Sequence, residues 1–168
     1  MVYVCDIQCF KSLANNYIMK EVCVVGVDNG VFFHCIVKPP TCYDRLSLEM
    51  KKRVDYVTKN IHGLPWDNGS IEEKDVIKKI RKILRKADRV YIKGSERVQY
   101  LRNILDFPDD IVIDLDIFDY RGSRQLTDRF RFQKCSKYET AHTTYDRCAV
   151  KKALTFRAYL LKHLERPV

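Results

Sequence analysis

Three β-rich runs at the start of the chain place the strongest constraint on its fold. Residues 1–10, 17–27 and 31–37 are rich in Val, Ile, Tyr, Phe and Cys, several of which favour extended backbone. A polar turn separates the first two runs, and Asp28-Asn29-Gly30, a strong hairpin signal, separates the second from the third. Because such short connections join antiparallel neighbours, the sequence predicts an antiparallel meander.

The rest of the chain alternates between helical and extended segments. Ser47 is a typical N-cap, and Ser70 with Glu73 has the spacing of a capping box. Behind Ser70, apolar residues recur at intervals of three and four, which is typical of one helical face. The predicted elements are a helix over 47–60, a helix from Ser70 through Ala87, a strand over 89–93, a helix over 95–105, a strand over 109–116, a loop over 117–145 and a helix over about 146–165.

This order predicts an α/β fold. A meander followed by right-handed crossovers gives a mixed sheet of five strands, antiparallel and then parallel, with helices on both faces. The 168 residues are enough for one ordinary domain. No internal repeat or linker divides the chain, so we expect a single domain over residues 1–168.

Charge and cysteine content narrow the function classes. Lys and Arg number 31 against 22 for Asp and Glu, and the net charge of +9 indicates a polyanionic partner, most often nucleic acid. No run approaches the ~18 apolar residues of a membrane span, and no signal peptide is expected. The seven cysteines are an odd number and several lie in strand-like runs, which argues against a secreted disulfide scaffold. We therefore expect an intracellular protein, in cytoplasm or nucleus, without a membrane partner.

The succession of elements resembles the ribonuclease H-like fold, and within it the DEDD family of 3′–5′ exonucleases. The first strand of that family carries Asp-x-Glu, whose carboxylates hold two divalent metals, and the same place here has Asp6-Ile7-Gln8. Residues 60–66 resemble the family's His-Gly-Ile turn, and residues 91–101 fall where its second Asp motif lies. His142 and Asp146, four apart, stand at the place of the final His–Asp motif.

The departures from that pattern bear on the chemistry. Gln8 replaces a metal-binding Glu with a neutral amide, and Arg97 falls near the second Asp. A two-metal site needs several hard oxygen ligands to offset four positive charges. The resemblance therefore implies a domain that lacks normal two-metal catalysis, with Asp6, Asp146 and a displaced Glu96 as the remaining candidates for a catalytic role.

A second resemblance concerns a zinc site. Residues 20–25, His34 before two prolines, and residues 61–65 read like the corresponding stretch of Maelstrom domains. Those domains lack the DEDD carboxylates and, like the exonuclease domain of arenavirus nucleoproteins, carry a Glu-Cys-His-Cys zinc site. When that site is carried over to this chain, the resemblance implies Glu21, Cys135, His142 and Cys148 as the zinc ligands. The family's His stands three residues after the first Cys, where this chain has Tyr138, so His142 substitutes for it.

The spacing of these residues gives separate support for a metal site. Cys135, His142 and Cys148 are separated by six and five residues in the predicted loop before the last helix. Zinc accepts thiolate, imidazole and carboxylate together, and a closed site can pin a loop that has no structure of its own. Asp146 is an alternative fourth ligand. The competing interpretation is two buried cysteines and a surface His in an ordinary loop.

Basic residues lie beside aromatic ones in the same predicted loop. Cations that neutralise phosphates next to rings that stack on bases suit single-stranded nucleic acid. The predicted contacts are Arg121, Arg124, Arg129 and Arg131 in the loop and Lys78 and Lys82 on the second helix. The alternatives are a loop that packs against its own domain and a helix face that is merely solvated.

Three functions remain open from the sequence. The first is a degenerate exonuclease-fold domain that binds RNA or single-stranded DNA, with a structural zinc. The second is an active nuclease with a rearranged site of Asp6, Glu96, His142 and Asp146 that uses Mg²⁺ or Mn²⁺. The third is a protein–protein scaffold whose basic charge is incidental.

Overall fold

The described residues form a mixed β-sheet with helices on both faces. The computed structural model describes residues 1–108, 110–118 and 148–164. The strands are β1 Val2–Lys11, β2 Tyr17–Gly26, β3 Phe32–Lys38, β4 Ile71–Glu72, β5 Arg89–Ile92 and β6 Val112–Asp114. The helices are α1 Leu48–Val57, α2 Glu73–Leu84, α3 Ser95–Leu105 and α4 Ala149–Leu164.

The sheet order is β4-β3-β2-β1-β5-β6. Strands β1, β2 and β3 are antiparallel neighbours, β5 pairs in parallel with β1, and β6 pairs in parallel with β5. The predicted meander followed by parallel strands is therefore confirmed. The predicted loop and the start of the last helix fall largely on residues 119–147, outside the described part of the chain.

The sixth strand, β4, was not expected, and the capping box predicted at Ser70 is wrong. Ile71 and Glu72 pair in parallel with Val37 and Lys38 of β3, so their backbone is extended where the prediction had the first helical turn. Gly69, with a φ of 104°, passes so close to β3 that a Cβ there would lie 2.5 Å from the Val37 backbone. Helix α2 consequently begins only at Glu73, and its N-cap side chain makes no capping hydrogen bond.

The two faces of the sheet have separate cores. Helices α2 and α3 pack on the face that carries Cys5 and Ile7 of β1. Helix α4 covers the other face, which carries Val4 of β1 together with Cys23 and Val25 of β2. Because side chains alternate along a strand, Asp6 and Gln8 share the α4 face with Val4, and Glu21 shares it with Cys23.

Two further observations bear on the sequence predictions. The six cysteines among the described residues are free thiols. Within the same residues, no helix is long and apolar enough to cross a membrane.

Candidate functional site

A row of polar side chains is buried between the sheet and helix α4. Asp6 of β1 lies opposite Cys23 of β2, which lies opposite His34 of β3, and Gln8 lies opposite Glu21. Asp6 and Glu21 are 0% exposed and Gln8 is 1% exposed. Buried polar groups are costly unless they are hydrogen-bonded, so the partners of each one define what this row can do.

Both oxygens of the Asp6 carboxylate accept N–H donors. Gln8 donates from Nε2 to Oδ2 at 2.8 Å, and Arg97 donates from Nη1 to Oδ1 at 3.2 Å. Burial raises the pKa of Asp6 to about 6, although the nearby charges of Lys152 and Arg97 oppose that rise. Arg97 belongs to the first turn of α3, and its side chain is 32% exposed. Asp6 is thus the buried half of an ion pair that reaches the surface through Arg97.

Glu21 joins β2 to β3 and to the start of α4. Its Oε1 lies 2.7 Å from His34 Nε2, and its Oε2 accepts the Ala149 N–H at 3.0 Å. The Cys148 thiol lies 3.7 Å from Glu21 Oε1. The positive end of the α4 helix dipole also stabilises a carboxylate at this position. The structure thus brings together two of the predicted zinc ligands, Glu21 and Cys148, and adds His34, which the sequence had suggested only as part of a resemblance.

Glu96, the other predicted catalytic residue among the described ones, lies outside the buried row that contains Asp6. Its carboxylate accepts from the Tyr17 hydroxyl at 2.5 Å and from Lys11 Nζ at 2.9 Å, at the far end of β1. These two hydrogen bonds lower the pKa of Glu96, whose side chain is 69% exposed. The structure therefore holds Glu96 on the surface with Tyr17 and Lys11, whereas the Asp6 carboxylate is buried with Gln8 and Arg97.

Comparison with solved structures agrees with this architecture. The chain superposes on a full-length 3′-exonuclease with a TM-score of 0.52 and 12% sequence identity, over 98% of this chain and 81% of that one. It superposes on the Mopeia virus exonuclease domain, in a form fully depleted of manganese, with a TM-score of 0.52 and 15% identity, over 94% of this chain and 76% of that one. The chain has an exonuclease-like fold. Its sequence matches no protein-family profile and no curated protein.

Several predicted site residues of this exonuclease-like domain lie outside the described residues. They are Asp146 of the catalytic set, Cys135 and His142 of the zinc set, and Arg121, Arg124, Arg129 and Arg131 of the nucleic-acid set. Within the described part of the chain, no group of three or more His, Cys, Asp or Glu side chains is arranged to hold a metal ion.

The two predicted contacts on helix α2 can be placed. Lys78 and Lys82 are exposed, and the buried side of α2 is formed by Val76, Ile80 and Leu84. Lys78 pairs with Asp75 one turn away at 3.4 Å. Both lysines therefore face solvent on the exonuclease-like domain, on the side of α2 that does not pack against the sheet.

Sequence reasoning missed one buried cation, Lys20 of β2. It is 1% exposed, and its ammonium donates to the carbonyls of Val37, Trp66 and Asn68. Burial lowers the pKa of Lys20 to about 8. Adjacent charges at Lys20 and Glu21 inside a β-rich run were the available signal, because neighbouring strand residues point to opposite faces and at least one of them must face a core.

Proposed function

We propose that the chain is a nucleic-acid-binding domain that keeps an exonuclease-like fold without normal two-metal catalysis. We propose RNA or single-stranded DNA as its ligand. The observation that carries the proposal is that both oxygens of the Asp6 carboxylate accept hydrogen bonds, one from Gln8 and one from Arg97. The net charge of +9 supports the choice of a polyanion.

A pair of divalent cations does not fit the side chains around Asp6. Two such ions bring four positive charges and require several hard oxygen ligands. At this position Gln8 turns an amide N–H₂ toward Asp6, and Arg97 adds a positive charge of its own. A cation approaching Asp6 has to displace both donors and meets the repulsion of the guanidinium.

The nucleic-acid contacts remain those expected from the sequence. Lys78 and Lys82 are exposed on α2, and the arginines of the 121–131 segment complete the proposed set. Lysine and arginine side chains that neutralise phosphates release counterions, so binding of this kind weakens as salt is added.

We further propose a structural zinc held by Glu21, Cys135, His142 and Cys148. The contact between Glu21 and the Cys148 thiol supports it, because these residues are 127 apart in sequence yet 3.7 Å apart in space. A carboxylate and a thiolate are both zinc ligands. A closed zinc site would add no open position for catalysis, so its proposed role is to fasten the segment before α4 to the sheet.

Fluorescence anisotropy with labelled single-stranded RNA, single-stranded DNA and duplex DNA tests the main proposal. We expect binding to single strands that weakens about 10-fold or more between roughly 50 and 200 mM salt, with the oligonucleotide intact after incubation with Mg²⁺ or Mn²⁺. Absence of salt-sensitive binding at low ionic strength would overturn the proposal. A stable protein complex that withstands nuclease treatment would then favour the scaffold function.

Cleavage is the other outcome that contradicts the proposal. Metal-dependent cleavage that is lost in the Asp6→Ala, Asp146→Ala double variant would instead assign the active nuclease with a rearranged site. Cleavage that survives the double variant would contradict both the proposal and that site.

A further inference from the structure

The buried Asp6 carboxylate needs positive charge, which Lys152 and Arg97 both supply, and Arg97 also donates a hydrogen bond to it. An ionised carboxylate without solvent is stable only when it is paired and hydrogen-bonded. Asp6 is 0% exposed, and the 3.2 Å contact to Arg97 is its charge-assisted hydrogen bond. Gln8 fixes the other oxygen at 2.8 Å. The orientation of the carboxylate, and with it the position of Arg97, is therefore set from inside the protein.

Arg97 also has an outward side. A guanidinium carries five N–H donors in one plane, and the contact with Asp6 uses the Nη1 end. The side chain is 32% exposed, so solvent reaches Arg97 although its Nη1 contacts a fully buried acid. The fork geometry of arginine matches phosphate as well as carboxylate. One guanidinium can therefore donate to a buried acid from one edge and to a phosphate from another.

Two lysines, unlike Arg97, pair with acids that are exposed on the surface. Lys11 is paired with Glu96 at 2.9 Å, and Lys93 is paired with Asp116 at 3.2 Å. Both pairs join exposed or half-exposed side chains, so each lysine pays an entropy cost to be held in one place. Arg97 is held by an acid that cannot move, which lowers the ordering cost of binding a ligand through it.

We infer that Arg97 is a built-in cation that bridges the Asp6 carboxylate and a backbone phosphate of the bound nucleic acid strand. The inference rests on the proposed function and adds to it one residue that contacts the bound nucleic acid. Asp6 and Gln8 then act as positioning residues for the guanidinium. No bond is made or broken, and no divalent ion is required at Asp6 for the strand to bind.

Four variants test this inference by anisotropy on one labelled single strand, each with thermal unfolding as a check on folding. Arg97→Gln should bind about 10-fold more weakly, because a charge-assisted hydrogen bond to phosphate is lost. Asp6→Asn should bind more tightly, because the amide oxygen can still accept from Arg97 and hold the guanidinium in place, while the negative charge that competes with phosphate is removed. Arg89→Gln removes the same charge from an exposed position at the start of β5 and should bind as the unmodified protein does.

The double variant Asp6→Asn, Arg97→Gln distinguishes a phosphate contact from a structural ion pair and removes the unpaired buried acid that could impair folding. If Arg97 contacts phosphate, the double variant binds as weakly as Arg97→Gln. If Arg97 only neutralises Asp6, the double variant binds like the unmodified protein, and the inference is overturned while the proposed function stands. If the unmodified protein shows no salt-sensitive binding, the proposed function itself fails.

Discussion

The environment of Asp6 makes the stability of the protein depend on pH. Burial raises its pKa from 3.8 to about 6 in the folded protein, so the folded state binds a proton more tightly than the unfolded chain does. Its contribution to stability is therefore greatest below about pH 4, falls as the pH rises toward 6, and stays at its lower value above that. A rise of this size corresponds to about 3 kcal/mol, in which the opposing charges of Lys152 and Arg97 are already included.

Asp6→Asn should accordingly raise the free energy of unfolding at pH 7–8 by about 1–2 kcal/mol and remove the stability change between pH 4 and 6. The Asn oxygen can accept from Arg97, and its N–H₂ can donate to Gln8 Oε1 once the Gln8 amide turns over, so the shape of the site is kept. Urea unfolding of both proteins across this pH range measures the effect. A variant that is less stable than the unmodified protein at pH 8 would show that the ion pair outweighs the burial cost.

Among the secondary-structure elements, the start of helix α4 depends on a side chain from β2. Glu21 accepts from the Ala149 N–H and from His34, so it caps a helix that follows it by more than 120 residues. In Glu21→Gln one of the two acceptor oxygens becomes an N–H₂ group, which then faces a donor. We expect the free energy of unfolding to fall by about 2 kcal/mol and the backbone amides in the first turn of α4 to exchange faster.

The matched control is Glu72→Gln. Glu72 is the N-cap of α2, but its side chain makes no capping hydrogen bond and instead pairs with Lys74 on the surface. Its replacement should leave the free energy of unfolding nearly unchanged, because exposed ion pairs contribute little. Both variants are compared in a chelating buffer, so that zinc content does not contribute. Equal costs for the two changes would contradict the assigned role of Glu21.

The elements differ in how far the sequence predicted them. Helix α3 spans Ser95–Leu105, as expected, because its boundaries are set by local residues. The Ser70 capping box failed because the backbone of Ile71 and Glu72 pairs with β3, and a local pattern holds no information on such a distant pairing.

The candidate site shows the same division. Alternation along β1 places Asp6 and Gln8 on one face from sequence alone, and the resemblance placed Arg97 near them. The contact of Glu21 with His34 depends on the register between β2 and β3, and its contact with Ala149 depends on how α4 packs. Neither register nor packing follows from the periodicity of a single segment.

For the whole molecule, the distribution of charge separates the buried row from the surface. Inside, Asp6 is offset by Arg97, and Glu21 by its hydrogen bonds and the start of α4. The described part of this row adds little to the net charge of +9, to which exposed side chains such as Lys78 and Lys82 contribute. An excess of this kind raises the local concentration of polyanions around the domain.

The proposed zinc would act on the whole molecule, since it joins β2 to the segment that leads into α4. Purified protein should contain about one zinc per chain, and chelation should lower the melting temperature by about 5–15 °C, because the metal's binding free energy is then lost from folding. Cys148→Ser should lose the metal, whereas Cys42→Ser, which changes an exposed thiol in a loop, should keep it. Zinc-free protein whose melting temperature is unchanged by chelator would contradict the site.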